Sequence, residues 1–523
     1  MFPMNDNKKI YDIIIIGGGL GGLTAGAKLT KDGYKVLLIE RNHKPGGCAT
    51  TFKRKDYTME VSLHALDGLD INDPKRKLFE DLGIFEHVEF VSTPEFYRIK
   101  NKRIDISIPN SKDEAIRLLI KKFPDEARGI RFFFRTTDAI RLEYNRLPLV
   151  RWKIYLLLPF FPILFPNLVF NTFKTLGRLL DDQITNEDLK IILAGNVLYY
   201  HNDPLTMSLI YFCTAQANFY NGGTYYIKGG SQKLSDYLAK VITDNNGKIL
   251  FNHQVETILT KKGRAVGVQY SSLLLKTPEK IYAQAKMIIA NTAIPNVAAM
   301  LHGKEQRRLK QKIQHLRTSC SIISVYIGFK SNLQSLGNKH CTTFILDDCI
   351  KELSDMKKNF RDVFTRRSFF FTDYGQIDSG LSPENKAVGT VSAPDYFTDW
   401  ENLSKEEYQK KKEEVARIIF RRLENIIPGI TNEIDCYEVG TPKTIQRQTL
   451  NPDGVAYGFS QLPLQAGLFR LPSKSPVKNL YFASAWASPG GGFTGAMLSG
   501  WLCAHEVTGA LKPSFSFLTK KIF

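Results

Sequence analysis

A near-continuous apolar run from Tyr11 to Ile16, with four successive isoleucines, stands close to the start of the chain. Lacking the polar/apolar alternation of a half-solvated strand, it predicts a parallel strand buried on both faces. A glycine-rich turn follows at once. Leu23 to Thr30 then continues as an Ala/Leu-rich helix that Gly33 ends, and Val36 to Ile39 supplies a second buried strand with Glu40 at its C-terminal end. Strand, turn, helix and strand in this order predict a βαβ unit on a parallel sheet.

Similar punctuation recurs further along. Gly229-Gly230 precedes a helix-like stretch from Lys233 to Thr243. Ser319 to Phe329 and Ala387 to Ser392 read as strands of a sheet that floors a pocket. Ser404 to Glu407 fits a capping box before a long amphipathic helix ending near Pro428, with 410–414 as its solvated face. The pattern breaks between 147 and 180. Residues 154–170 are almost wholly apolar, yet shorter than the roughly 20 residues a spanning helix needs. Pro159, Pro162 and Pro166 interrupt them, and Arg146, Arg151, Lys153, Lys174 and Arg178 flank them. In lipid, backbone groups freed by proline find no water, so the expectation is an interfacial patch that dips into one leaflet and opens a substrate tunnel. A buried helical hairpin is the plainer alternative.

The 523 residues leave room for two or three structural units, and 43% hydrophobic with 24% charged residues is a globular balance. The net charge of +19 raises nucleic acid, anionic lipid and acidic small molecules as partners. Basic residues are scattered, with local pairs such as Arg307-Arg308, Arg366-Arg367 and Arg421-Arg422, and no nucleic-acid module is recognisable. A membrane surface is therefore expected and nucleic acid is not. The seven cysteines have no C-x-x-C spacing, which speaks against a disulfide framework and a zinc site, and no metal is expected. The short polar N-terminus does not read as a secretory signal. The expected location is the cytoplasmic face of a membrane, peripheral or monotopic, in a reducing compartment.

Chemistry enters through the first turn. Gly17-Gly18-Gly19-Leu20-Gly21-Gly22 satisfies G-x-G-x-x-G. Gly17 permits the tight turn, Gly19 lets backbone approach a pyrophosphate, Gly22 lets helix and strand pack closely, and the helix N-terminus offers free N–H groups. Glu40 is placed to accept hydrogen bonds from a ribose 2′-hydroxyl. After it comes Pro45-Gly46-Gly47-Cys48-Ala49-Thr50-Thr51-Phe52, where Gly46 and Gly47 form a second side-chain-free stretch able to line an extended dinucleotide. Here the sequence resembles the phytoene desaturase, carotenoid isomerase and retinol saturase family of flavoproteins. That resemblance implies FAD rather than NAD.

It runs through most of the chain. Residues 226–232 resemble the family's GG-x-xx-L element, Gly247 to Val255 its following strand pair and Ile288 to Thr292 the strand that returns to the FAD domain, and the position of Val255 is one whose backbone contacts adenine in the family. Residues 438–444 and 454–458 match a further segment. Asn479 to Ala496 resembles the C-terminal flavin motif, in which Gly490-Gly491-Gly492 bring backbone amides near the flavin and the helix starting near Phe493 and Thr494 favours negative charge on it. Where many relatives carry a glycine and an acid or small residue, this chain has Ser484 and Ala485. The implied fold is α/β with an α+β cap: a Rossmann-type two-dinucleotide-binding FAD domain from 1–75, 225–300 and 440–523, and a discontinuous substrate or cap domain from 76–224 and 301–439 with a sheet and apolar helices.

Tyr57 to Gly68 looks like the acid-x-x-x-His element of the retinol saturase branch, which makes Glu60 and His64 the candidate catalytic groups. Each also has a plain reading, as a structural carboxylate and a satisfied core histidine. Tyr199, Tyr200 and His201 are secondary candidates, better read as packing. The implied activity is FAD-dependent redox chemistry on carbon–carbon double or single bonds of a long carotenoid- or retinoid-like polyene: desaturation, saturation or isomerisation. An amine oxidase-like flavoprotein and a non-catalytic flavin-containing membrane protein are the alternatives. The electron partner is open between oxygen, quinone and reduced nicotinamide.

Overall fold

The computed structural model describes residues 10–148, 154, 156–277 and 279–511. Residues 149–153 and 155 of the apolar segment, and the first nine residues, lie outside the described residues. Two seven-stranded sheets organise the molecule.

In the first sheet the strand order is Lys248–Leu250, Val36–Ile39, Ile10–Ile16, Ile281–Ala290, Arg264–Ser272 and His253–Lys261. The first four strands run parallel, and the last two form an antiparallel hairpin against the start of Ile281–Ala290. The end of that same strand pairs in parallel with Leu480–Phe482, so the last described strand returns to the sheet that holds the first, one strand away from it. The isoleucine run lacks alternation because it serves two cores: Ile13 and Ile15 pack with Leu23, Leu234 and Val507, while Ile14 and Ile16 pack with Val255, Ile288 and Val297. The helix Leu20–Lys31 lies against Gly492–Leu511, the helix that ends the described chain. Their backbones touch. A Cβ on Gly500 would overlap the carbonyl of Gly21, and one on Gly21 would overlap that of Ala483.

The second sheet runs Ile434–Gly440, Ser321–Phe329, Ala387–Asp395, Phe369–Asp373, Thr342–Ile345, Tyr97–Lys100 and Asp105–Ile108, antiparallel except where Thr342–Ile345 meets Tyr97–Lys100. Its period-2 alternation sorts two faces. Ile323, Val325 and Ile327 share a core with Val415, Ala416, Ile419 and Leu423 of the helix Lys405–Glu424. That helix starts at a capping box, in which Ser404 Oγ accepts from Glu407 N at 3.2 Å and Ser404 N donates to Glu407 Oε2 at 2.8 Å, an arrangement worth about 1 kcal/mol.

Cap helices, notably Ala127–Asn145 and Leu209–Gly222, bury their apolar stripes together with Phe344 and Phe370 of this sheet. The proline-interrupted segment folds as a 3₁₀ turn at Leu158–Phe160 and two short helices, Phe161–Leu164 and Pro166–Asn171, with a proline in the first turn of each. It divides its apolar residues: Phe161, Phe165 and Leu168 enter the cap core, while Phe160, Ile163, Phe170 and Phe173 are exposed. Among the described residues no helix is long and apolar enough to cross a membrane.

Candidate active site

One cavity reaches from the glycine turn of the first sheet to the inner face of the second. Its volume is about 440 Å³, within the roughly 300–1,000 Å³ usual for a ligand pocket.

One end of the cavity is built from backbone. Gly17 (φ +95°) turns the chain out of its strand, and Gly17 N donates to Ile39 O at 2.8 Å. Gly46 N donates to Gly18 O at 2.8 Å, and a Cβ on Gly47 would stand 3.3 Å from Gly19 Cα, so the two glycine segments lie against each other. Gly17, Gly19, Gly46 and Gly47 all line the cavity; Gly22 does not, being packed beneath the turn where a Cβ would overlap Gly17 O. Glu40 lines the wall and is buried, its Oε2 accepting from Gly18 N at 2.6 Å and its Oε1 from Asn42 N at 2.7 Å. The carboxylate thus braces the glycine turn as well as facing the cavity, and burial pushes its pKa up. Val255 stands in the same wall. At the opposite side Gly491, Gly492, Phe493 and Thr494 bring the N-terminus of Gly492–Leu511 to the cavity, and the space beside Gly492 is open to 4 Å.

The other end is made of side chains. Ile322, Ser324 and Tyr326 present the inner face of their strand, and Tyr211, Thr214, Ala215, Asn218 and Phe219 present one stripe of the cap helix. Tyr199, Tyr200, Ser392 and Tyr457 complete an aromatic, uncharged wall around His64. The His64 ring meets Phe370 edge-on at 4.7 Å and lies parallel to Tyr199 at 6.4 Å. Desolvation lowers its pKa to about 3, so it is neutral in any ordinary buffer.

Glu60 departs from expectation. It is fully buried and absent from the cavity wall. Its oxygens accept from Ser231 N and Ser231 Oγ, both at 2.7 Å, from Leu63 N at 3.1 Å, and from Ser62 N and Tyr226 Oη at 3.2 Å. A carboxylate with five donors around it fastens the Tyr57–Glu60 strand to the turn before Gln232–Asp244, and the structure assigns it to the scaffold. His201 is also packing: it meets Thr206 Oγ1 at 3.1 Å outside the cavity. Tyr199 and Tyr200, by contrast, do line the site.

Residues 20–508 match the family described as flavin containing amine oxidoreductase. The chain belongs to that family. Curated relatives span nearly the whole of it: a chloroplastic prolycopene isomerase of Daucus carota is 29% identical, covering 96% of this chain and 80% of the relative. A neurosporene-forming phytoene desaturase of Rhodobacter capsulatus is 25% identical over 96% and 94%, and an all-trans-retinol 13,14-reductase of Danio rerio 24% over 95% and 86%. Among solved structures, cyclohexylamine oxidase of Brevibacterium oxydans superposes with a TM-score of 0.61 at 15% identity, covering 96% of this chain and 100% of its own, which establishes the shared fold.

This oxidoreductase offers a flavin nucleotide a cradle of its own making. The first-turn amides of Leu20–Lys31 have no intrahelical partners, two glycine segments leave room for phosphates, and open space adjoins Gly492. Sequence reasoning missed Asn291, whose Nδ2 donates to Gly17 O at 3.2 Å and whose side chain borders the sites where Cβ atoms on Gly19 and Gly22 would stand. A polar residue ending the buried strand at Ile288-Ile289-Ala290 was the available signal. Tyr326 and Tyr457 were missed as well. Only the sheet's register reveals which face each strand residue takes.

Proposed function

We propose that this flavin-containing oxidoreductase binds FAD and acts on carbon–carbon double or single bonds of a long polyene or isoprenoid of the carotenoid or retinoid type, working at a membrane surface. The observation that carries the reading is the uncharged aromatic wall around His64, continuous with the glycine-lined end of the same cavity. Bound flavin supplies two-electron chemistry at its ring. The protein's residues hold the chain of the substrate against it and exclude water.

An amine substrate fits less well. The carboxylates in the cavity wall are Glu40, bonded to backbone amides, and Asp67 and Asp73, both paired with the buried Lys75, so none is left to receive an ammonium group. Within the polyene class, redox-neutral isomerisation fits best. Saturation needs an acid to deliver a proton to carbon and desaturation a base to remove one, and burial makes His64 a weak base with no proton to give and Tyr199, Tyr211 and Tyr457 weak acids. Isomerisation needs no net proton transfer, and the name of the carrot relative points the same way.

The membrane part rests on one surface. Phe160, Ile163, Phe170 and Phe173 are exposed, as are Leu464, Leu468 and Phe469, and Phe173 joins the two groups by ring contact with Phe469 at 5.8 Å. Lys174 and Arg178 are exposed near this apolar patch in the chain, Arg178 also paired with Asp182 at 3.0 Å, and both match anionic headgroups. A cytoplasm-facing site agrees with seven free cysteines.

The test uses purified protein supplied with FAD and with liposomes carrying phytoene, cis-lycopene isomers or retinol, with and without reductant. The expected products are isomers of unchanged mass. Protein that stays colourless when given FAD, or that turns over a small amine and none of the polyenes, sinks the reading. For the surface, Phe170→Ser with Phe173→Ser and Leu464→Ser should abolish most co-sedimentation with anionic liposomes at unchanged flavin content; undiminished sedimentation removes the membrane from the proposal.

A further inference from the structure

Beneath the N-terminus of Gly492–Leu511 lies a charged cluster that the chemistry above does not use. Asp67 lines the cavity, and Thr494 Oγ1 donates to its Oδ1. Its Oδ2 accepts from Asn218 Nδ2 of the cap helix at 3.2 Å and faces Lys75 Nζ at 3.2 Å. Lys75 is wholly buried, its ammonium also donating to Asp67 O at 2.8 Å, Gly68 O at 2.6 Å and Asp73 Oδ2 at 3.0 Å. An ammonium taken out of water persists only when its protons are all engaged, so Lys75 fixes the carboxylate in place.

The backbone explains how one carboxylate reaches both elements. A Cβ on Gly68 would overlap Gly222 Cα and Asn218 O, and Leu69 N donates to Gly222 O at 3.3 Å. Two glycines thus let the strand Leu66–Asp67 lie directly on the end of the cap helix. Arg141, on the neighbouring cap helix, extends the cluster, donating to Asn218 Oδ1 at 2.8 Å and Asp70 Oδ2 at 2.7 Å.

We propose that Asp67, clamped by Lys75, is a positioning residue that fixes the first turn of Gly492–Leu511 through Thr494, ties it to the cap helix through Asn218, and sets the electron affinity of the flavin bound there. The inference rests on the flavin reading above. The helix N-terminus carries partial positive charge that favours a reduced, anionic flavin, and a carboxylate bonded to its first turn offsets that charge. Removing the carboxylate's charge therefore makes the flavin easier to reduce.

Three full-length variants, each with FAD, test this: Asp67→Asn, Asp67→Glu and Thr494→Val. By titration against reference dyes, Asp67→Asn should keep its flavin and shift the midpoint potential to more positive values, whereas Asp67→Glu, which retains the charge, should restore it towards wild type. Thr494→Val leaves the Asp67–Lys75 pair whole and should weaken FAD binding about tenfold through one lost charge-assisted hydrogen bond. A wild-type potential in flavin-loaded Asp67→Asn overturns the proposal. So does wild-type FAD affinity in Thr494→Val, which decides alone if Asp67→Asn fails to fold. Wild-type protein that takes up no FAD overturns the flavin reading along with this one, and the unmutated reference sample tells the two failures apart.

Discussion

The two ends of the cavity are specified in different ways. The glycine-lined end is backbone: several glycines stand where a Cβ would collide with a carbonyl, and the turn is held by the hydrogen bonds that Glu40 accepts from Gly18 N and that Asn291 Nδ2 donates to Gly17 O. The aromatic end is side chain, with tyrosines, a phenylalanine and small residues carried on one sheet face and one helix stripe. Where a Cβ would meet backbone almost no substitution is tolerated, because nothing can rotate out of the way. Side-chain walls can be reshaped residue by residue, which is how one fold serves relatives with different named substrates.

That contrast is broken most severely at the point where the chain's ends meet. Gly500→Val should cost well over 3 kcal/mol, since its side chain would enter the carbonyl of Gly21 rather than a movable group. Insolubility or a collapse of the thermal midpoint is expected, and an unaltered melting curve would contradict the close helix crossing. Gly19→Leu sharpens the comparison without unfolding the protein. Its Cβ meets only the flexible Asn291 Nδ2, at 2.9 Å, while the remaining side chain projects into the cavity. A loss of FAD affinity of about 100-fold, some 2.7 kcal/mol, with near-native circular dichroism is the outcome to look for. Yellow protein of normal flavin content would mean that the phosphates lie elsewhere.

The same division decided what could be read from the amino acids. The glycine turn, its flanking strands and the capping box at Ser404 are local, and local chemistry is written in consecutive residues. So is the last glycine cluster, Gly490 to Gly492. Glu60 looked catalytic for the same reason, as an acid four residues before a histidine, but its fate was set by Ser231 and Tyr226, some 170 residues away. Packing between elements of two different small sheets, not spacing, put them together. Tyr326 was likewise concealed within an apolar strand until the partner strands fixed which face it took. Asp67 belonged to a noticed segment, yet its meaning came from Thr494, more than 400 positions on.

The substrate end can be filled without touching the nucleotide. Ala215 stands on the cavity stripe of the cap helix, one turn from Tyr211, so Ala215→Trp should obstruct a long polyene while the glycine segments stay intact. At least an approximately tenfold drop in kcat/KM, equivalent to about 1.4 kcal/mol, with unchanged flavin content is expected. Loss of flavin instead would place the cofactor ring deeper among the tyrosines and erase the boundary drawn here.

The smallest effect concerns His64. Its folded pKa of about 3 lies below the unfolded value near 6.5, so the unfolded chain binds the extra proton throughout that window. Stability attributable to the neutral ring is intact above pH 6.5 and declines as pH falls towards 3. Between pH 7 and pH 6 this amounts to about 0.7 kcal/mol. His201, depressed to about 4, adds a similar slope, so His64→Phe should remove only about half of the histidine-linked loss in denaturant titrations across that interval. The turnover rate of the unmutated enzyme should show no break near pH 6.5, because a ring that does not gain a proton there cannot gate the reaction. A clear inflection at that pH, abolished in His64→Phe, would show that substrate or flavin restores the ring's basicity and would move His64 from wall to proton carrier.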